Sequence, residues 1–379
     1  MRLLELYIHI PFCKKKCKYC DFLSGPSTTD ERESYVKSLC QDIRSYAHLA
    51  KACRVISIFV GGGTPSTLTA FQMQQIFSAV RDTFVVEENA EITVEMNPGT
   101  VDREKLSGYK KCGINRLSIG LQSTKNRELQ ILGRIHTYEE FLNTYSLARK
   151  VGFNNINADL IIGLPKQTIA DVENSVNELV NLKLEHISVY SLILEEGTML
   201  EELVRSGKLK LPEDKEERNM YWKVKNILEK NGYNHYEISN FAKHGSESKH
   251  NLDCWKQKEY VGFGVAAHSY TNGVRYSNIE NIEEYIKNYE EGKEEDNFVF
   301  HEKQTHNMKV KEYMMLGLRK IEGVCIQEFK EKFAANPIFV FKTELEKLVN
   351  EELLEVNGDY IKLTNKGLDL ANLVWEEFV

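Results

Sequence analysis

The sequence predicts an α/β protein: a partial, TIM-like (β/α)6 barrel followed by a smaller α+β unit. Three observations carry this. Short β-like runs alternate with helical patterns up to about residue 195, the order expected of βαβ units on a parallel sheet. There are six such units, too few for a closed eight-stranded barrel. After about residue 301 the pattern changes to helices followed by a hairpin.

Strands are predicted at 6–10, 55–60, 92–95, 116–120, 155–161 and 186–190. Helices fall between them, near 31–47, 70–84, 103–111, 138–151 and 169–182. Leu106 and Tyr109, and later Val172, Val176 and Leu179, recur at helical spacing and should face the sheet. In the last part, helices are predicted at 309–320, 326–333 and 339–351, then a hairpin in "LLEVNGDYIKL" and a closing helix from Asn365 to the end. Asn357-Gly358 is a strong hairpin turn signal, since both positions tolerate positive φ. This divides the chain into a barrel unit at 1–300 and a winged-helix-like unit at 301–379, with "NYEEGKEED" read as a solvated linker before the second.

Composition narrows the function. The 379 residues carry a formal charge of −7, with 42% hydrophobic and 28% charged side chains. An ordinary globular core is expected, and a general nucleic-acid or anionic-membrane binder is not. Winged-helix shapes often bind DNA, but here residues 301–379 hold eleven Lys/Arg against fourteen Asp/Glu. Such a surface cannot neutralise phosphates, so a cover or partner-docking role is expected instead. No apolar run reaches the length of a membrane span, and no signal-peptide pattern opens the chain, so a cytoplasmic location is expected.

In a reducing compartment, eight cysteines are not expected to form a disulfide framework. Five are scattered. The other three, Cys13, Cys17 and Cys20, crowd into "CKKKCKYC", where four lysines favour the thiolate. A structural zinc site needs four ligands, and His9 on the preceding strand is a conceivable fourth. Three thiolates alone suit a four-iron cluster with one iron left open to a small molecule.

The remaining polar residues fall where a βα barrel places its active face, at the carboxyl ends of strands. "VISIFV" breaks into Gly61, Gly62, Gly63, Thr64 and Pro65. Glu95, Gln122, Asp159 and Tyr190 end or follow the next four strands. The glycine run lets backbone approach a ligand closely. It is not a Walker loop, because no Lys-Ser or Lys-Thr follows at the required spacing.

"YIHIPFCKKKCKYCDF" together with "GGGTPS" resembles the radical S-adenosylmethionine (SAM) superfamily, in the branch that holds anaerobic coproporphyrinogen III oxidase and the HemW haem chaperones. The likeness runs from Tyr7 into the C-terminal region. It implies a radical SAM barrel in which Cys13, Cys17 and Cys20 hold a [4Fe–4S] cluster and SAM chelates the open iron. It also implies cofactor contacts from Tyr7, Tyr19, Gly62, Gly63, Thr64, Glu95, Gln122, Arg134 and Asp159, with Ile193 and His268 at two further positions. A guanidinium at Arg134 can take a carboxylate in bidentate fashion.

Within that branch, the oxidase has a further cysteine two positions after the third one, where this chain has Phe22. The oxidase also has a long N-terminal extension, whereas this sequence begins twelve residues before its first cysteine. "KHNLDCW" resembles the HNxxYW signature of the haem chaperones, with Cys254 in the tyrosine position. The resemblance therefore implies haem as ligand, His250 as candidate axial ligand with Cys254 as alternative, and haem-accepting proteins as partners. Oxidative decarboxylation of coproporphyrinogen III and a non-redox zinc scaffold stand as the rival expectations.

Overall fold

The computed structural model describes residues 1–379. Its first unit is built on one twelve-stranded sheet. The six predicted strands are present, several of them longer than expected: β1 (Arg2–Ile10), β2 (Cys53–Gly62), β3 (Val85–Met96), β4 (Arg116–Gln122), β5 (Ile156–Ile162) and β6 (His186–Ser191). They pair in parallel in that order. The charged segment before residue 92 hid the first half of β3, which pairs with β2 on the far side of a register shift between Val55 and Ser57.

Six further strands had no counterpart in the sequence reading: β7 (Asn234–Glu237), β8 (Asn240–Ala242), β9 (Tyr260–Phe263), β10 (His268–Thr271), β11 (Val274–Asn278) and β12 (Phe298–Lys303). The spatial order is β12-β11-β10-β9-β1-β2-β3-β4-β5-β6-β8-β7. β9 lies parallel to β1, so the parallel part has seven strands, and antiparallel strands extend both edges. The stretch read as a linker is folded. A helix (Ile282–Glu290) ends in it, Asn288 and Tyr289 are buried, and the 3₁₀ turn Glu294–Asn297 leads into β12.

Every parallel strand of the barrel alternates. Leu6, Ile8 and Ile10 on β1, Leu117, Ile119 and Leu121 on β4, and Ile156, Ala158, Leu160 and Ile162 on β5 are fully or almost fully buried in the main core with the surrounding helices. The intervening residues point into the barrel and are mostly polar: Glu5, Tyr7 and His9; Glu91, Thr93 and Glu95; Arg116, Ser118, Gly120 and Gln122; Asn157 and Asp159. A period of two with apolar residues outward gives an interior that is polar and partly hollow, not a packed plug of aliphatic side chains.

The second unit has its own core, eighteen buried side chains with none shared with the first. It contains a three-stranded sheet, β13 (Val324–Cys325), β15 (Tyr360–Leu363) and β14 (Leu354–Asn357), and helices led by His306–Gly317. The predicted helix 339–351 is two pieces, Pro337–Val340 and Lys342–Asn350, divided at Phe341. The closing helix likewise breaks at Leu370. This unit sits against β7, β8 and the helix Lys249–Trp255. The Ile238 N–H donates to the Arg319 carbonyl, the Ile321 N–H donates to the Tyr236 carbonyl, and Trp222 donates to Asp369. No helix of the chain is long and apolar enough to cross a membrane.

Candidate functional site

At the carboxyl ends of the parallel strands a cavity of about 440 Å³ opens. Cys13, Cys17 and Cys20 line it from the loop after β1, and Gly62, Gly63 and Thr64 line it from the end of β2. Backbone hydrogen bonds bring the two loops together. The Gly63 N–H donates to the Ile10 carbonyl at 2.9 Å, and the Thr64 N–H donates to the Phe12 carbonyl at 2.7 Å. Only glycine permits this approach. A Cβ on Gly63 would lie 2.9 Å from the Phe12 carbonyl, and Gly62 adopts a φ of 106° against the His9 ring.

A polar chain connects two of the cysteines through the strand ends. Cys13 Sγ lies 3.2 Å from Thr64 Oγ1, which accepts from Asn97 Nδ2 at 2.9 Å. Asn97 Oδ1 accepts from Arg134 at 2.7 Å, and Arg134 Nη1 lies 3.5 Å from Cys17 Sγ. Arg134 also donates to the Gly120 carbonyl, and its Nε alone lacks a partner. Burial pushes the Cys20 thiol up.

The three sulfurs do not converge as a single-ion site requires. The one group of three metal-ligating side chains whose donor atoms all lie within 4.8 Å of one another is elsewhere: Glu5, His250 and Cys254. His9, the conceivable fourth zinc ligand, has both ring nitrogens engaged, Nδ1 with the Tyr7 hydroxyl at 3.0 Å and Nε2 with the Leu23 carbonyl at 3.2 Å. A wider metal–sulfide body that three thiolates reach from one loop fits this arrangement better than one zinc ion does.

The other expected cofactor contacts divide clearly. Tyr19, Glu95, Gln122, Arg134, Asp159 and Ile193 line the cavity with the cysteines and glycines. Gln122 takes a left-handed φ of 73° where β4 is irregular, a conformation costing on the order of 1 kcal/mol outside glycine. Burial raises the carboxyls of Glu95, to about 8, and of Asp159. Asp159 is hydrogen-bonded by Asn157 Nδ2 at 2.8 Å, and Glu95 accepts from the Gly62 N–H at 3.2 Å. Tyr7 does not line the cavity. It lies behind it, tilted toward His9 and stacked loosely on Phe59, with ring centroids 6.4 Å apart. His268 is also outside. It is exposed on β10, and its ring stacks on His301 at 5.2 Å.

His250 and Cys254 lie at the opposite end of the barrel. The helix Lys249–Trp255 closes the floor, capped by Ser248 and by Glu91, which accepts from the Lys249 and His250 N–H groups. The His250 ring is 8% exposed, stacks on Phe59 at 5.2 Å, and places Nδ1 3.0 Å from Ser57 Oγ. Ser57 also donates to Glu5 at 2.8 Å, and Cys254 Sγ lies 3.9 Å from the other oxygen of that carboxyl. Burial lowers the His250 imidazole to about 4 and raises Glu5 to about 9, so at neutral pH the floor carries a neutral imidazole and a protonated carboxyl.

Sequence reasoning missed Asn97 as a link, the floor residues Glu5, Ser57 and Glu91, and Arg116 inside the lumen. The signal for Arg116 was available in "RLSIGLQ", whose alternate residues are polar.

Known proteins resemble this chain over most of its length. The family model of the radical SAM superfamily matches residues 7–179, and that of the HemN C-terminal domain matches residues 304–370. The heme chaperone HemW of Lactococcus lactis is 37% identical over 373 residues, covering 98% of this chain and 96% of that protein. HemW of Bacillus subtilis is 36% identical over 378 residues, with 98% of each covered. Among solved structures, the coproporphyrinogen III oxidase HemN of Escherichia coli superposes with a TM-score of 0.86 at 23% identity, over 100% of this chain and 90% of that one. That likeness establishes the fold.

Proposed function

Because this chain belongs to the HemW family within the radical SAM superfamily, we propose that it is a haem chaperone, binding haem and passing it to acceptor proteins. The observation that carries this is the match over nearly the whole chain to proteins named heme chaperone, at 36–37% identity. Phe22 supports it: at the position of the oxidase's further cysteine it offers the cavity an apolar ring, 61% exposed.

The superfamily implies a [4Fe–4S] cluster and SAM. In our reading Cys13, Cys17 and Cys20 hold the cluster. Tyr19, Gly62, Gly63, Thr64, Glu95, Gln122, Arg134, Asp159 and Ile193 surround the cofactor. When both are bound, they supply one-electron chemistry at the open iron. The chain's own part is to position and shield. The Gly62 and Gly63 backbone admits a close ligand, Tyr19 offers a ring face, and the Glu95 carboxyl, raised to about 8, can donate as well as accept a hydrogen bond. Tyr7 acts through His9, and His268 stands apart from this set.

His250 is the candidate haem ligand and Cys254 the alternative. Phe59, Ser57 and Glu5 enclose the imidazole, so ligation there requires the floor helix to withdraw.

Haem titration of the anaerobically purified protein, with and without SAM, tests the proposal. Saturable binding of one haem per chain is expected, with transfer to an apo-acceptor. Vinyl formation on incubation with coproporphyrinogen III would establish the oxidase instead.

A further inference from the structure

One charged group in the barrel has no charged partner. Arg116 projects inward from the start of β4, in register with Thr93 and, beyond it, Phe59 and Tyr7. It is 2% exposed and lines the same cavity that opens beside the cysteines. No carboxylate lies within ion-pair distance. Its one hydrogen bond, from Nη1 to Thr93 Oγ1, is 3.5 Å long, and Nε has none.

The nearby acids do not fill this role. Asp159 is occupied by Asn157 and Ser118, and Glu95 by the Gly62 amide. Burial raises both carboxyls, Glu95 to about 8, which weakens the claim of either on the guanidinium. Four other polar groups of the lumen are engaged with each other. Ser118, Asn157, His186 and Tyr236 form an unbroken hydrogen-bonded row at 2.7–2.8 Å that passes Arg116 by. A guanidinium in a low-dielectric cavity, with its fork free, is a receptor for a planar anion taken by two parallel N–H donors.

The rim of the cavity describes the rest of the ligand. Phe22 and Ile193 line the opening and are 61% and 68% exposed. An amphipathic molecule with an apolar body and an acidic edge satisfies both ends. We propose that Arg116 receives a carboxylate of the bound tetrapyrrole, a propionate group carried edge-first into the barrel while the macrocycle lies against Phe22 and Ile193. The inference rests on the reading that the chain binds haem; it seats the macrocycle at the mouth, away from His250 and Cys254 on the floor, which in this placement do not reach the iron.

The test uses full-length protein with its cluster reconstituted. Ferric haem and its dimethyl ester, which lacks the free carboxylates, are titrated into wild type, Arg116→Met and Arg116→Lys, and SAM binding is measured in the same samples. Arg116→Met is expected to weaken haem binding at least tenfold and to leave the ester and SAM unaffected, and Arg116→Lys to fall between. Iron content and thermal midpoint report on folding. Loss of SAM binding with haem binding intact would assign the carboxylate to the methionine part of SAM and overturn the proposal. So would haem binding indifferent to Arg116 or to esterification. Failure of the wild type to bind haem at all would instead remove the chaperone reading on which the proposal stands.

Discussion

The two ends of the barrel use the same side-chain chemistry to opposite effect. Each gathers thiol, imidazole and carboxyl groups around the inward face of β1 and β2. At the mouth, the cysteines sit on a loop held by backbone hydrogen bonds, facing a cavity and next to a buried guanidinium. At the floor, Glu5, His250 and Cys254 interlock beneath a helix, and burial drives each toward its neutral form. The mouth is built to take up something charged, the floor to exclude charge. The difference lies in what covers each end: open space above, and a helix backed by a second unit below.

The largest expected effect sharpens the first half of that contrast. Cys17→Ala leaves two thiolates, and we expect cluster iron to fall to background, checked by anaerobic iron and sulfide analysis. A cluster retained at wild-type iron content would remove the mouth from its assigned role.

The floor responds to pH. Glu5, raised from the ordinary 4.5 to about 9, holds its proton in the folded chain after the unfolded chain has released it. Stability is therefore full below about pH 4.5 and is lost progressively as pH rises toward 9, by up to about 1.4 kcal/mol per pH unit. His250, Cys254, Asp253 and Lys258 are the titratable groups around it. In Glu5→Gln this slope should disappear, so that the variant gains on wild type between pH 5 and 8 in denaturant unfolding. A slope unchanged by the substitution would show that the carboxyl is already ionised there.

His250→Ala empties a packed site beside Phe59 and leaves Ser57 short of a partner, at a cost of about 2–3 kcal/mol. If His250 ligates haem, the haem absorption spectrum should shift as well. Stability loss with an unchanged spectrum confines the residue to a structural role, and Cys254→Ser is then the variant to measure.

The smallest effect concerns the backing. Arg319 lies over the rings of both Trp255, on the floor helix, and Trp375, in the second unit, with centroid distances of 4.5 Å each. Arg319→Ala is expected to cost about 1 kcal/mol, read as a lower thermal midpoint with cluster iron unaffected.

Much of the mouth was legible because its signals are local. Three cysteines within eight residues, a glycine run at a strand end and polar residues ending successive strands all lie in short stretches of chain. The alternation in "RLSIGLQ" even records which residues point inward. Of the floor, only His250 and Cys254 stood out, in "KHNLDCW"; what they meet was not legible, because those contacts join residues nearly two hundred positions apart, as Ser57 and His250 are. "YVGF" is too short to announce that β9 enters the sheet beside β1. Charge misled in "NYEEGKEED", where exposed acids surround the buried Asn288 and Tyr289. His268 was placed by alignment alone, and the turn after β9 carries it onto an outer strand.

The Arg319 sandwich has a mechanical meaning. The stopper of the barrel is riveted to a body that contributes nothing to the barrel wall, and one of the rivets is Trp255, one residue from Cys254 and five from His250. The two ends of the barrel are thus bounded by different parts of one chain, the mouth by the loops after β1 and β2 and the floor by a helix pinned to the second unit.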